Sequence, residues 1–201
     1  MGGRLVFRIF DKDSVTDEVV GAINLEARDI IDGLYPSFFW KNIYGAPLGV
    51  SGKSSRMMNE NPELGSLWKG RILMQVVAEK CDKPVRKVQD IPEEDVLKSK
   101  EYEVYKTFQL MLYVHSVFCL PKENESYNLE IRIAEHSMLV EDPMVDGDYN
   151  RFRYRTDNNI TFTGPYQNVD DIGSVFIYLT KKFSFGGVKR IAYYRGDISE
   201  F

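Results

Sequence analysis

Cysteine is scarce in this chain of 201 residues. Cys81 and Cys119 are the two, too few for the disulfide framework of a small secreted domain. The usage suits a reducing compartment, and Cys119, inside an apolar run, reads as a buried thiol. Long hydrophobic runs are missing as well. The longest apolar stretch, around Leu110 to Leu120, is broken by His115 and Ser116 and falls short of the ~20 residues that a membrane-spanning helix needs. The N-terminus, MGGRLVFRIFDKD, has no signal-peptide apolar region or cleavage site and no Ser or Thr placed for a myristoylation signal. A cytosolic piece is expected. Positive charge is not in excess either: 26 Lys and Arg against 30 Asp and Glu give a net charge of −4, which speaks against a nucleic-acid binder.

Catalytic signatures are equally thin. G-x-S-x-G, the P-loop and zinc-ligand spacings do not occur, and the glycine-rich SFGGVK reads as a turn. His115 and His136 have no companion Cys/His cluster and are expected to be structural. The chain is therefore read as a non-enzyme.

What is abundant is apolar and aromatic material. The hydrophobic fraction is 43%, with 12 Tyr and 12 Phe, a composition of globular proteins that favours strands over helical bundles. The length allows one large domain or two small ones. LVFRIF (Leu5 to Phe10) alternates, with Leu5, Phe7 and Ile9 on one face. A second strand is expected at Val19 to Leu25. Turn signals at Asp32-Gly33 and Pro36 precede the aromatic run FFWKNIYG, and residues 46–67 are rich enough in Gly, Ser, Asn and Pro to predict a long exposed loop. WKGRILMQVVAEK (Trp68 to Lys80) returns to a strand pattern.

Residues 81–107 form a charged linker, with a short helix starting near Ile91-Pro92, where acids occupy the first turn. A second strand-rich unit follows at 108–201. Its expected strands are Phe108 to Leu120, Tyr127 to His136, and a hairpin of Ser174–Phe183 with Val188–Gly196. Ser137 to Gln167 reads as polar and turn-rich. The start in mid-strand and the end without a polar tail suggest part of a longer protein.

The densest chemistry is FDKDSVTDEVVG, Phe10 to Gly21, which holds Asp11, Asp13, Asp17 and Glu18. Calcium takes six to eight oxygen ligands, and carboxylates on one loop supply several at once. In an extended backbone Asp11 and Asp13 fall on the same side, and Asp17 or Glu18 could close the cluster. The EF-hand pattern is absent. On spacing alone, a solvated charged turn between two strands fits equally well.

LVFRIFDKD…DEVVGAINL resembles the sixth strand, third calcium loop and seventh strand of a C2 domain. Asp11 and Asp13 match the paired aspartates, and Glu18, three before Gly21, takes the place of the last one, with Asp17 beside it. FFWKNIYGAP, MNENPELG and WKGRILMQVVAEK then resemble the end of a central C2 domain in the ferlins. The linker VQDIPEEDVLKSKEYEVYKTFQLMLYVHSVFCLP, the segment ESYNLEIRIAEHS and VFIYLTKKFSFGGVKRIAYYRGDISEF, with its Lys189–Arg195 core, resemble the ferlin stretch up to the FerB region. Where animal ferlins carry a helical FerA bundle, only Ser137 to Gln167 intervene, which implies a shorter, divergent ferlin.

The resemblance implies a mostly β protein: the C-terminal half of a C2-type antiparallel β-sandwich at 1–80, the linker, and a strand-rich FerB-like unit at 108–201. The parent would be a calcium-regulated phospholipid-binding protein of vesicle fusion, exocytosis or plasma-membrane repair, tail-anchored on the cytoplasmic face. It would work with other domains of its own chain. Calcium held by Asp11, Asp13 and Asp17 or Glu18 would remove negative charge, letting anionic lipid approach while Val15 at the loop tip touches the headgroups. A C2 domain also draws ligands from its first loop, so the site in this chain is expected to be partial and weak. In YNRFRYR, a strand would put Arg151, Arg153 and Arg155 on one face, suited to anionic headgroups at about 1 kcal/mol per basic residue; a half-buried strand with a solvated face is the alternative. For the whole, the alternative is a non-catalytic scaffold that packs against other domains without calcium or lipid.

Overall fold

The computed structural model describes residues 3–12, 17–35, 37–83, 90–118, 120–152 and 159–198. Cys119 lies outside them. The protein is mostly β with antiparallel sheets, and it divides into two compact units. The first comprises Met1–Tyr105 and Pro165–Asp171, and the second Lys106–Gly164 and Ile172–Phe201.

In the first unit the chain runs through β1 (Arg4–Lys12), β2 (Asp17–Glu26), α1 (Ala27–Ile31), β3 (Phe39–Gly45), α2 (Gly52–Glu60), β4 (Leu67–Met74) and α3 (Glu93–Ser99). The four strands form one sheet in sequence order. Ile23 and Leu25 of β2, Ile30 of α1, and Phe39 and Ile43 of β3 make the core, flanked by Phe7 and Ile9. Two-residue alternation therefore turns Phe7 and Ile9 inward and Arg4, Val6, Arg8, Phe10 and Lys12 to the other face.

The expected long loop at 46–67 is instead interrupted by the nine-residue helix α2. Its Asn59 explains why it is fixed. The side chain donates to the Val19 carbonyl at 2.7 Å and accepts from the Ala46 amide at 2.7 Å, joining β2, β3 and the helix. Gly45 makes this possible, because a Cβ there would sit 2.5 Å from Asn59 Oδ1 and 2.7 Å from the Val20 carbonyl. Beneath β4, the Arg71 guanidinium lies 4.4 Å from the Trp40 ring centre and 4.1 Å from that of Tyr166. The segment Pro165–Asp171 is thereby tied to this unit, with Asn42 Nδ2 donating to the Asp171 carbonyl at 2.9 Å.

The second unit contains β5 (Lys106–Met111), β6 (Ser116–Val117), β7 (Asn128–Ile133), β8 (His136–Val140), β9 (Met144–Asp146), β10 (Tyr149–Arg151), β11 (Asn159–Gly164), β12 (Ser174–Lys182) and β13 (Val188–Asp197). Its main sheet has the order β13-β12-β7-β8, with β6-β10-β9 and β11-β5 beside it. The stretch expected to be turn-rich, Ser137 to Gln167, thus supplies most of four strands. Phe108 to Leu120 is two short strands rather than one. His115 uses its backbone carbonyl to accept from the Phe152 amide, and His136 begins β8 with its ring 5.5 Å from Phe162.

Polar groups brace this unit. Asn150 is fully buried; it accepts from the Tyr127 amide at 2.8 Å and donates to the Glu125 carbonyl at 3.0 Å. The Lys181 ammonium and the Tyr127 hydroxyl both donate to the Glu125 carboxylate, at 2.5 and 3.1 Å. The hydrogen bond from Lys181 holds the pKa of Glu125 below the usual carboxylate value against an opposing desolvation. Tyr178, covered by Arg190 at 4.1 Å from its ring centre, has its pKa pushed up to about 12, chiefly by burial. Arg190 is in turn fixed by both oxygens of Glu130 at 3.0–3.1 Å.

Candidate functional site

The acidic bend is the connection of the β1–β2 hairpin. Asp13 and Val15 belong to residues 13–16, which lie outside the described residues; Asp11, Asp17 and Glu18 are placed. All three are exposed at the hairpin end.

Register decides which acids meet. From Arg4↔Glu26 to Ile9↔Gly21 the ladder is regular; it then shifts, so that Phe10 faces Val19, Asp11 faces Glu18 and Lys12 faces Asp17. Val20 is the extra residue of a bulge, a device that re-aims side chains. Without that shift Asp11 would face Val19 and Lys12 would face Glu18. The bulge therefore creates one rung of two carboxylates. Directly opposed residues have Cβ atoms about 4.5–5.5 Å apart, and like charges there destabilise a sheet. The hairpin's other two charge-on-charge rungs, Arg4↔Glu26 and Lys12↔Asp17, are complementary, and Arg4 Nε donates to Glu26 Oε1 at 2.9 Å.

Hard carboxylate oxygens suit calcium, and Asp11 with Glu18 fits part of such a ligand set. Glu18, not Asp17, shares the rung with Asp11. Among the described residues no three His, Cys, Asp or Glu side chains gather in one place, so any fuller set requires groups outside them.

Beside the hairpin lies an open groove of about 760 Å³, lined on one wall by Phe10, Asp17 and Glu18 and on the other by Ser51, Lys53 and Arg56 of the α2 region. The sequence reading missed this second wall. Two signals were present: GKSSRMMNE contains no proline, and Arg56 and Glu60 stand four apart, where helical side chains meet. Their ion pair is 2.9 Å.

The proposed basic face is placed only at its first residue. Arg151, at the end of β10, is exposed with its guanidinium 5.5 Å from the Tyr149 ring centre, and Phe152 is buried. Arg153 and Arg155 lie outside the described residues. No helix among the described residues is long and apolar enough to cross a membrane.

No family model matches the chain, and no solved structure matches it. Among curated proteins, a myoferlin of Xenopus tropicalis is 22% identical over 185 residues, covering 81% of this chain and 10% of that protein. The chain thus spans about a tenth of the length of that relative. The likeness extends over both compact units rather than one.

Proposed function

We propose that this chain is a segment of a ferlin-like protein that binds phospholipid under calcium control in vesicle fusion, exocytosis or membrane repair, on the cytoplasmic face of membranes. It has no catalytic role. The observation that carries the reading is the carboxylate rung Asp11↔Glu18 at the end of a bulged hairpin, in a chain similar to a myoferlin over most of its length. A cation would relieve the rung's like-charge repulsion. Asp11 and Glu18 are the described residues that would hold calcium, with Asp13 from the same bend as a further donor, while Asp17 faces Lys12 on the next rung. The bound ion would offset two of the negative charges of the bend, and an anionic headgroup could then approach. Arg151, Arg153 and Arg155 would add attraction elsewhere, and Val15 would touch the headgroup layer.

Calcium titration by calorimetry, paired with co-sedimentation on phosphatidylserine vesicles, tests this. A weak heat and calcium-enhanced sedimentation, both lost in Asp11→Asn/Glu18→Gln, support the reading. Absence of both, in the chain and in a longer version extended upstream, leaves the scaffold reading in its place.

A further inference from the structure

The β12–β13 hairpin ends in an apolar, cation-collared turn that the calcium reading does not use. The last ladder rung is Lys182↔Val188. Beyond it the Gly187 carbonyl accepts from the Phe183 amide at 2.8 Å, and the Phe183 carbonyl accepts from the Gly186 amide at 2.9 Å. Gly186 has a φ of 86°, a conformation that glycine takes without strain. This closed turn holds its side chains outward. Phe185 is completely exposed, Phe183 is 45% exposed and Val188 63%. Three large apolar groups at one tip are a patch rather than scattered surface residues.

Charge is distributed just as unevenly. From Ser174 to Gly196 there is no Asp or Glu, while Lys181, Lys182, Lys189, Arg190 and Arg195 all lie there, in a chain of net charge −4. Lys181 pairs with Glu125 and Arg190 with Glu130. Lys182 and Lys189, both exposed, have no ion pair among the described residues. Lys182 shares the last rung with Val188, and Lys189 stands on the rung behind it.

We infer that residues 183–188 form a membrane-inserting tip that engages an anionic lipid surface without calcium. The layering is the argument. Aromatic and aliphatic groups lead, and two uncompensated ammonium groups follow within one or two residues, at roughly 3.3 Å per residue. An anionic bilayer offers the complementary order, with phosphates outside and hydrocarbon beneath. An apolar groove on a protein would fit the phenylalanines but would not call for a collar free of acids.

Co-sedimentation of the full chain in EDTA, on vesicles of phosphatidylcholine with and without phosphatidylserine, separates this contact from the carboxylate hairpin. The tip predicts binding to the phosphatidylserine vesicles only. Phe183→Ser/Phe185→Ser weakens it roughly tenfold or more, and each of Lys182→Ala and Lys189→Ala weakens it roughly fivefold. In Phe185→Trp, emission shifts to the blue on these vesicles and is quenched by bromine-labelled acyl chains beyond the wild-type Trp40 and Trp68 signal. The substituted side chains are exposed, and an unchanged thermal melt shows the fold intact. Wild-type binding by the serine and alanine variants, equal binding to phosphatidylcholine alone, or no added quenching overturns the inference. Loss of calcium enhancement with the EDTA binding intact would count against the proposed function and not against the tip.

Discussion

The two long hairpins of this protein share a backbone plan and differ in charge. β1–β2 and β12–β13 are both antiparallel, and in each the second strand carries one extra residue, Val20 in one and Ile191 in the other. The first bulge sets Asp11 against Glu18; the second sets Thr180 against Arg190, whose guanidinium lies over Tyr178 and grips Glu130. One end gathers carboxylates that a cation would relieve, and the other presents lysines and phenylalanines that need none. The same local irregularity thus serves opposite electrostatics, because what matters is which side chains the register shift opposes.

That comparison can be broken most forcefully through the cores. Leu25 is buried within β2 of the acidic hairpin, and Ile131 in the sheet that carries the other. Either one changed to Ala should cost about 2–5 kcal/mol, read by denaturant melts. Leu25→Ala should impair the calcium response and spare vesicle binding in EDTA, and Ile131→Ala should do the reverse. Identical losses of both activities in both variants would contradict two separable surfaces.

The next test uses pH. A tyrosine in the unfolded chain loses its proton near pH 10, whereas in the fold Tyr178 holds it to about 12. Its contribution is full below pH 10 and lost as pH rises through about 12. Phenolate absorbance should show a tyrosine titrating near pH 12 that is missing in Tyr178→Phe. Glu125 works at the acid end. Its pKa is lowered mainly by the Lys181 hydrogen bond, so its contribution is present above the unfolded carboxylate value and lost as pH falls through the folded one. Glu125→Gln should flatten the acid limb of the stability profile for the second unit.

The smallest expected effect belongs to the acidic rung. Without calcium, Asp11→Asn should stabilise the chain by about 0.2–1 kcal/mol, the size of a relieved cross-strand repulsion. Asp17→Asn, which removes the complement of Lys12, should not stabilise it. Equal shifts would mean that the rung has no special character.

How much of this was legible from the sequence follows from the range of the forces involved. The strands of Leu5–Phe10, Val19–Leu25 and the 174–196 hairpin announce themselves by two-residue alternation and turn residues. The helix at Gly52–Glu60 does not, because Ser, Gly and Asn favour loops locally and the helix is held by Asn59 reaching Val19 and Ala46 across the fold. The return of Pro165–Asp171 to the first unit rests on Arg71 between Trp40 and Tyr166, a pairing of residues far apart in sequence. Asp11 and Glu18 were candidates from the start, yet Asp17 competed with Glu18 until the bulge fixed which acid faces Asp11. Bulges depend on backbone context more than on residue type, so periodicity does not reveal them. SFGGVK was readable as a turn; that its phenylalanines stay exposed became apparent only with the surrounding surface.

The most direct test of the account is vesicle co-sedimentation at millimolar calcium and in EDTA, comparing the wild type with Asp11→Asn/Glu18→Gln. The account predicts that calcium strengthens wild-type binding to phosphatidylserine vesicles, and that the variant keeps its EDTA-level binding with no calcium increment. A wild type indifferent to calcium, or a variant that still responds in full, would contradict it.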